Sequence, residues 1–450
     1  MEQTDLRLAE LLGALSHALD LTEGQPKGHS MRCCWIGFQI GQCIGMRDSE
    51  LSDLYYTLLL KDLGCSSTAA RVCELYLADD RQFKQDAKLL DGSLPQVLRF
   101  VAGHTGLNAS LAERFRAIVN ILRNGGEIAR ELYEARCHRG AEIAEKMRFS
   151  PQVCKGIQNL DEHWDGSGRP ESRSGRDIPF ASQIALLSQV ADVFFQAQGR
   201  QAAIAEINNR TGTWFSPDLV EVFNALSDSD EFWQALTSPS LRELVLSLEP
   251  TTEIRRVDAD YLDDIATAFA QVIDAKSSFT RGHSERVAVV TDLIAEELGL
   301  PSGKRRWLKR AALLHDIGKV AISNSILDKP AKLTDEEFAK IKTHPVHSHA
   351  ILTGVSVFTD MAATARGHHE RLDGKGYPDG LRGDQISMDT RIITTADVFD
   401  ALTADRPYRK AMPIPQAIAV MAKEIGSAFD PACFDALQRA LSRADNAVAA

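Results

Sequence analysis

The chain has 450 residues, 44% of them hydrophobic and 25% charged, and a formal net charge of −11. That length holds two or three domains, each able to bury a core. The acidic balance argues against general binding to a nucleic-acid backbone, which needs a basic surface, while leaving room for a small phosphorylated ligand at a locally positive site.

At the N-terminus acids are interleaved and no basic stretch precedes an apolar core, so no signal peptide is expected. No apolar run approaches the 18 or more residues of a spanning helix. The eight cysteines include no C-x-x-C pair, and seven lie before residue 155. Reduced thiols in a cytoplasmic protein are the expectation.

Gly28-His29-Ser30-x-Arg32 opens the first strong segment, and Ile36, Ile40 and Ile44 follow at helical spacing. Leu59 to Gly64 comes next, then a stretch between about Val72 and Ile128 that reads as an insertion. Asp165 to Pro170, Ala191 to Phe194 and Gly212-x-x-Phe215-Ser216-Pro217 close the first half. Residues 237–257 contain Pro239 and Pro250 and read as a linker. Val257, Tyr261, Ile265, Phe269, Val272 and Ile273 then open a second half at helical spacing.

The second half repeats the first. Gly282-His283-Ser284-x-Arg286 and Leu313-Leu314-His315-Asp316-Ile317-Gly318 answer the first two motifs at an offset of 254. Asp373 to Pro378, Ala396 to Phe399 and Gly426-x-x-Phe429-Asp430-Pro431 answer the later ones at an offset of about 206. Chance could give one such pair but not the whole ordered set. The 3.6 period dominates and β-alternation is scarce. The expected fold is therefore all-α, as two tandem helical bundle domains (1–236 and 258–450) joined by a linker.

Only the second copy carries a full set of ligand-type residues: His283, His315, Asp316, His344, His368, His369 and Asp397. Imidazole with carboxylate suits iron, manganese, zinc or nickel rather than calcium. Neighbouring helical side chains diverge by about 100°, so the adjacent pair His368-His369 fits a two-metal cluster better than one ion. Seven candidates also exceed the three or four protein ligands of a single catalytic ion.

Residues 260–441 resemble an HD-GYP domain of the His-Asp phosphohydrolase superfamily. The resemblance rests on His283, His315-Asp316-x-Gly318-Lys319, His344-Pro345, the run from His368 to Ile386 (HHERLDGKGYPDGLRGDQI), and Asp397-x-x-Asp400-Ala401-Leu402-Thr403-x-x-Arg406-x-Tyr408-Arg409. It implies a helical bundle that hydrolyses a cyclic dinucleotide with a metal-bridging hydroxide, cyclic di-GMP first and cyclic GMP-AMP second. It implies two divalent ions, iron or manganese. Asp316 would bridge them, with His283, His315 and Asp397 at one ion and His344, His368 and His369 at the other. Lys319, one turn from His315, would reach a phosphate oxygen and stabilise developing charge. Tyr377 would contact a base or phosphate in a loop tightened by Gly374, Gly376, Gly380 and Gly383. Arg406 and Arg409, three apart, would clamp the second phosphate or a guanine edge. Phe279 stands where some members place a glutamate for a third metal, which favours two. His347 and His349 read as surface residues.

Aligned this way, the first copy keeps His29, Asp62, His138 and Asp192, but has Lys61, Leu160 and Asp161 at the other three positions. Cys65 answers Lys319 and Arg169 answers Tyr377. The first half is expected to be a degenerate HD domain that dimerises, binds a signalling partner or senses a ligand. Two other readings are a nucleotidase or phosphomonoesterase of the wider superfamily and a non-catalytic scaffold that binds cyclic dinucleotides.

Overall fold

Leu8, Leu11, Leu12, Leu15 and Leu19 recur three and four residues apart, and all five are buried on one face of the helix Leu8–Thr22. The same logic runs through the computed structural model, which describes residues 7–90, 93–107, 109–250, 257–277, 279–405 and 409–449. Among them there is no β-strand, only isolated bridges such as Thr211 with Phe215 and Ile425 with Phe429. The fold is all-α. Among the described residues no helix is long and apolar enough to cross a membrane.

The chain divides into two compact units, Met1–Tyr261 and Leu262–Ala450. In the first, the helix His29–Ile44 packs against Leu8–Thr22, Asp48–Leu60 and Phe180–Gln198. The inserted stretch forms Ala69–Tyr76, Asp80–Ala87, Leu94–His104 and the start of the 36-residue helix Leu111–Lys146. Its small core is Val72, Phe83 and Phe100, set apart from the main one.

The stretch read as a linker is partly built into this unit. Leu241, Val245 and Leu246 are buried on the helix Leu241–Ser247, because they lie on one face of it. Beyond them the buried Glu249 accepts hydrogen bonds from the Tyr56 hydroxyl at 2.7 Å and from Arg7 Nε at 2.8 Å.

In the second unit, His283–Glu297 packs on Ser302–Leu314, Met388–Thr403 and Pro431–Ala449. Helix ends converge at its centre. His283 and His344 are the first residues of their helices, and His315 and His368 are the caps that end theirs. Gly318 allows the closest approach. A Cβ there would lie 2.0 Å from the His344 carbonyl oxygen and 2.5 Å from the Ser348 nitrogen. Only glycine lets the turn after Asp316 lie directly on the His344 helix.

Candidate active site

Six of the seven expected ligand residues are buried and His369 is half-buried; their ligating atoms form two groups. One is His283, His315 and Asp397; the other is Asp316, His344, His368 and His369. Asp316 lies between them. Its Oδ2 is 3.4 Å from His283 Nε2 and 3.2 Å from His315 Nε2, while its Oδ1 is 3.2 Å from His344 Nε2 and 3.6 Å from His368 Nε2. Asp397 Oδ1 completes the first group at 3.3 Å from His283 Nε2.

The proton positions follow from the outward hydrogen bonds. His315 Nδ1 donates to the Ala312 carbonyl at 2.6 Å, His344 Nδ1 to Ile341 at 2.7 Å, and His368 Nδ1 to Ala365 at 2.6 Å. Each carbonyl fixes the tautomer, so each Nε2 lone pair points inward. His344 Nε2 and His368 Nε2 face each other at 3.3 Å. His283 Nε2, His315 Nε2 and Asp316 Oδ1 are buried with no hydrogen-bond partner. Buried polar atoms without partners are costly, and converging lone pairs repel unless a cation stands among them. The donor set therefore fits divalent metal. The field has the same sign: burial lowers the His283 pKa, yet Asp316, Asp397 and Asp400 outweigh it and raise it to about 10.

A cavity of about 600 Å³ opens onto His344 and His369, lined also by Lys276, Phe279, Lys319, Phe338 and Tyr377. Lys319 Nζ contacts Asp316 Oδ2 at 2.5 Å, with its side chain 17% exposed toward solvent. The Tyr377 ring lies 4.7 Å from that of His369 and 6.3 Å from that of Phe338. Phe279 is a wall residue rather than a ligand. Arg409 is placed differently from the expectation of a clamp. Its guanidinium donates to the carbonyls of Ala401 at 2.6 Å and Leu402 at 2.9 Å, capping the C-terminal end of Met388–Thr403. Exposed carbonyls at a helix end attract a cation, and that use competes with substrate binding. Arg406 lies outside the described residues.

Asp400 carries a role that spacing alone left open. It accepts from His283 Nδ1 at 2.7 Å and from Arg286 Nε at 2.6 Å, and so fixes the imidazole that faces Asp397. The available signal was Asp397-x-x-Asp400, which places both carboxylates on one helical face. Asp400→Asn should lower metal affinity by about 10- to 100-fold, the usual effect of losing an outer carboxylate. Titration with a metallochromic competitor reads this, and unchanged affinity would remove Asp400 from the account.

Comparison with known proteins supplies the family. The HD domain model matches residues 116–219 and 267–433. The chain belongs to the HD domain family. Its second unit carries the HD-GYP motifs. The chain is 50% identical over 440 residues to 3′3′-cGAMP-specific phosphodiesterase 3 of Vibrio cholerae, covering 98% of this chain and 96% of that one. It is 41% identical over 209 residues to the cyclic di-GMP phosphodiesterase response regulator RpfG of Xanthomonas campestris pv. campestris, covering 45% and 54%. The crystal structure of the cyclic GMP-AMP specific phosphodiesterase V-cGAP3 of V. cholerae superimposes with a TM-score of 0.66 at 46% identity, covering 97% of this chain and 98% of that one.

The HD centre of the first unit corrects the alignment read from sequence. Gly64, the counterpart of Gly318, meets the carbonyl oxygen of Arg136 and the nitrogen of Gly140. Arg136 therefore stands where His344 does, an offset of 208. The same offset pairs Glu162 with Glu370: each accepts backbone hydrogen bonds from its own loop, Glu171 and Arg173 in one, Asp379 and Leu381 in the other. Asp192 takes His29 Nδ1 at 2.6 Å and Arg32 Nε at 2.5 Å, which is the geometry of Asp400 and not of Asp397. Gln189 thus answers Asp397. His138 is exposed and bonds the Glu134 carbonyl at 2.8 Å. Of the seven ligand positions only His29 and Asp62 keep their residue.

Cations stand in their place. The fully buried Lys61 ammonium lies 3.0 Å from His29 Nε2 and 3.2 Å from Gln189 Oε1, and pairs with Asp62. Those partners are the counterparts of His283, Asp397 and Asp316. Arg136 pairs with Asp161 where His344 and His369 would face each other. The groups His29, Cys33, Asp192 and Glu23, Asp62, Cys65 cluster closely enough for a metal. Arg32 and Lys61 already neutralise the first, and Lys61, Lys84 and Lys88 the second.

Proposed function

We propose that the second unit hydrolyses a phosphodiester bond of a cyclic dinucleotide, giving a linear dinucleotide. The observation that carries this reading is Asp316, which turns one oxygen to each of two ligand groups, the second of which meets a cavity of about 600 Å³ through His344 and His369. His283, His315 and Asp397 would hold one ion, and His344, His368 and His369 the other. Two bound divalent ions, iron or manganese, supply hydroxide near neutral pH and neutralise phosphoryl charge. Cyclic GMP-AMP is placed ahead of cyclic di-GMP, reversing the order drawn from the motifs. The relative named for cyclic GMP-AMP matches nearly the whole chain, which supports this order.

The chain's own groups do the rest. The outward carbonyl bonds of His315, His344 and His368 keep every Nε2 free for coordination. Lys319 reaches from Asp316 to the cavity and is placed to donate to a phosphate oxygen as charge develops. Phe279, Phe338 and Tyr377 give the cavity aromatic walls against which a base can pack. Lys319→Ala should leave metal content near normal and lower kcat by about 10²-fold or more, as loss of a transition-state donor does. A parallel loss of metal would mean that Lys319 supports the ligands instead.

The test is turnover of a panel of cyclic dinucleotides by protein reconstituted with iron or manganese under reducing conditions. Release of linear dinucleotide from cyclic GMP-AMP, faster than from cyclic di-GMP, is expected. Hydrolysis of nucleoside monophosphates with none of the cyclic compounds would favour a nucleotidase. Arg409 no longer argues against that alternative, since its donors are committed to the helix end.

A further inference from the structure

The first unit keeps a cavity beside its disabled centre, of about 300 Å³, with Lys88, Tyr133, Arg136, Asp161, Arg169 and Trp214 in its wall. By the 208-residue register, Arg136, Asp161 and Arg169 stand where His344, His369 and Tyr377 line the cavity of the second unit. We propose that this cavity binds a nucleoside monophosphate and does not cleave it.

Charge selects the phosphate. Three cations and one carboxylate are among these wall residues. Arg136 is matched by Asp161, and Lys88 by the buried Glu23 at 2.8 Å. Arg169 donates only to neutral oxygens, the carbonyls of Gly168 at 2.7 Å and Ser167 at 3.2 Å and the Ser172 hydroxyl at 3.4 Å. No carboxylate pairs with it among the described residues. It stands in the cavity wall at the position of Tyr377, so the site has a guanidinium where the second unit has a ring. A phosphate monoester carries about −1.5 to −2 charges at pH 7 and has three strong acceptor oxygens, which a guanidinium binds in a fork.

Size and the remaining wall select the nucleoside. The volume is half that of the second unit's cavity, room for one nucleotide where that one would hold two. This size argument rests on the function proposed above, whereas the charge argument does not. Trp214 already carries His163, stacked at 4.0 Å, and the Arg210 guanidinium 3.9 Å from its ring centre. Tyr133 is 39% exposed, with the Arg136 guanidinium 5.5 Å from its ring centre, and is the aromatic wall residue left for a base. Cleavage is excluded by the centre itself, because Lys61 fills one metal position and Arg136 and Asp161 close on each other at the second. Binding without cleavage would make the first unit a sensor of mononucleotide level.

Full-length, metal-loaded protein titrated calorimetrically with GMP, AMP and inorganic phosphate tests this, using wild type, Arg169→Glu and Tyr133→Ala. Arg169→Glu should weaken nucleotide binding by about tenfold or more, as loss of a charged hydrogen bond does. Tyr133→Ala should weaken GMP and AMP while leaving phosphate unchanged. Hydrolysis of cyclic dinucleotide without added mononucleotide should be equal in all three. Superimposable titrations of wild type and Arg169→Glu would overturn the site. Phosphate bound as tightly as GMP, with Tyr133→Ala silent, would overturn the nucleoside. If Arg169→Glu does not fold, Tyr133→Ala decides alone. Arg169-sensitive binding in a protein that hydrolyses no cyclic dinucleotide would sink the proposed function and leave this site standing.

Discussion

Asp316→Ala should abolish turnover and leave fewer bound metal ions per chain than wild type. Asp316 is the one residue that both ligand groups share, with an oxygen 3.2 Å from a histidine nitrogen on each side. Removing it would take a ligand from both positions at once, leaving His283 and His315 with Asp397 alone and His344 and His368 facing each other without a carboxylate. Metal ions contribute several kcal/mol of charge stabilisation, and each 1.36 kcal/mol is tenfold in rate, so a loss of about 10³-fold in kcat or more is expected. His315→Ala should act in the same direction but spare the second group. Metal analysis beside turnover checks both variants. Wild-type rates from both would refute the assignment of the centre.

Lys61→Met should destabilise the first unit by about 3–5 kcal/mol, the usual penalty when one partner of a buried pair is removed. Lys61 and Asp62 are both wholly buried, and no water can take over the carboxylate. Burial lowers the Lys61 pKa, but Asp62 leads the groups that together outweigh it and keep it raised, so the side chain stays an ammonium. His29 is pushed down to about 4, by burial first and by Lys61 second, and is the neutral acceptor. The ammonium thus supplies the charge that a metal would supply. Combining Lys61→His with Gln189→Asp should recover the stability only when a divalent ion is added, since His29, Asp62 and the two new side chains then make a ligand set. Chemical unfolding with and without chelator reads both effects. A loss under about 1 kcal/mol for Lys61→Met, or no metal response in the double variant, would show that the ammonium is incidental.

Much of this protein is written locally. The 3.6-residue period, the order of repeated motifs and the seven His and Asp positions of the second unit are properties of short stretches, and from them the sequence alone determined an all-α fold and offered one complete set of ligand-type residues. What it could not determine depends on which element faces which. Asp397 and Asp400 share a helical face, and only the packing of the His283 helix makes one a ligand candidate and the other the partner of His283 Nδ1. Arg136 and His138 are two apart, about 200° around one helix, so a slip of two residues exchanges the buried wall for solvent. The insertion absorbs that slip in its own small core, where no local pattern records the register. Arg409 was read as a substrate clamp from its spacing, but the helix end beside it offers carbonyls that claim its donors first. Periodicity gives the direction of a side chain around its own helix. Only tertiary structure supplies the partner at the other end of that direction, and the charge of that partner decides whether the site binds a metal or an ammonium.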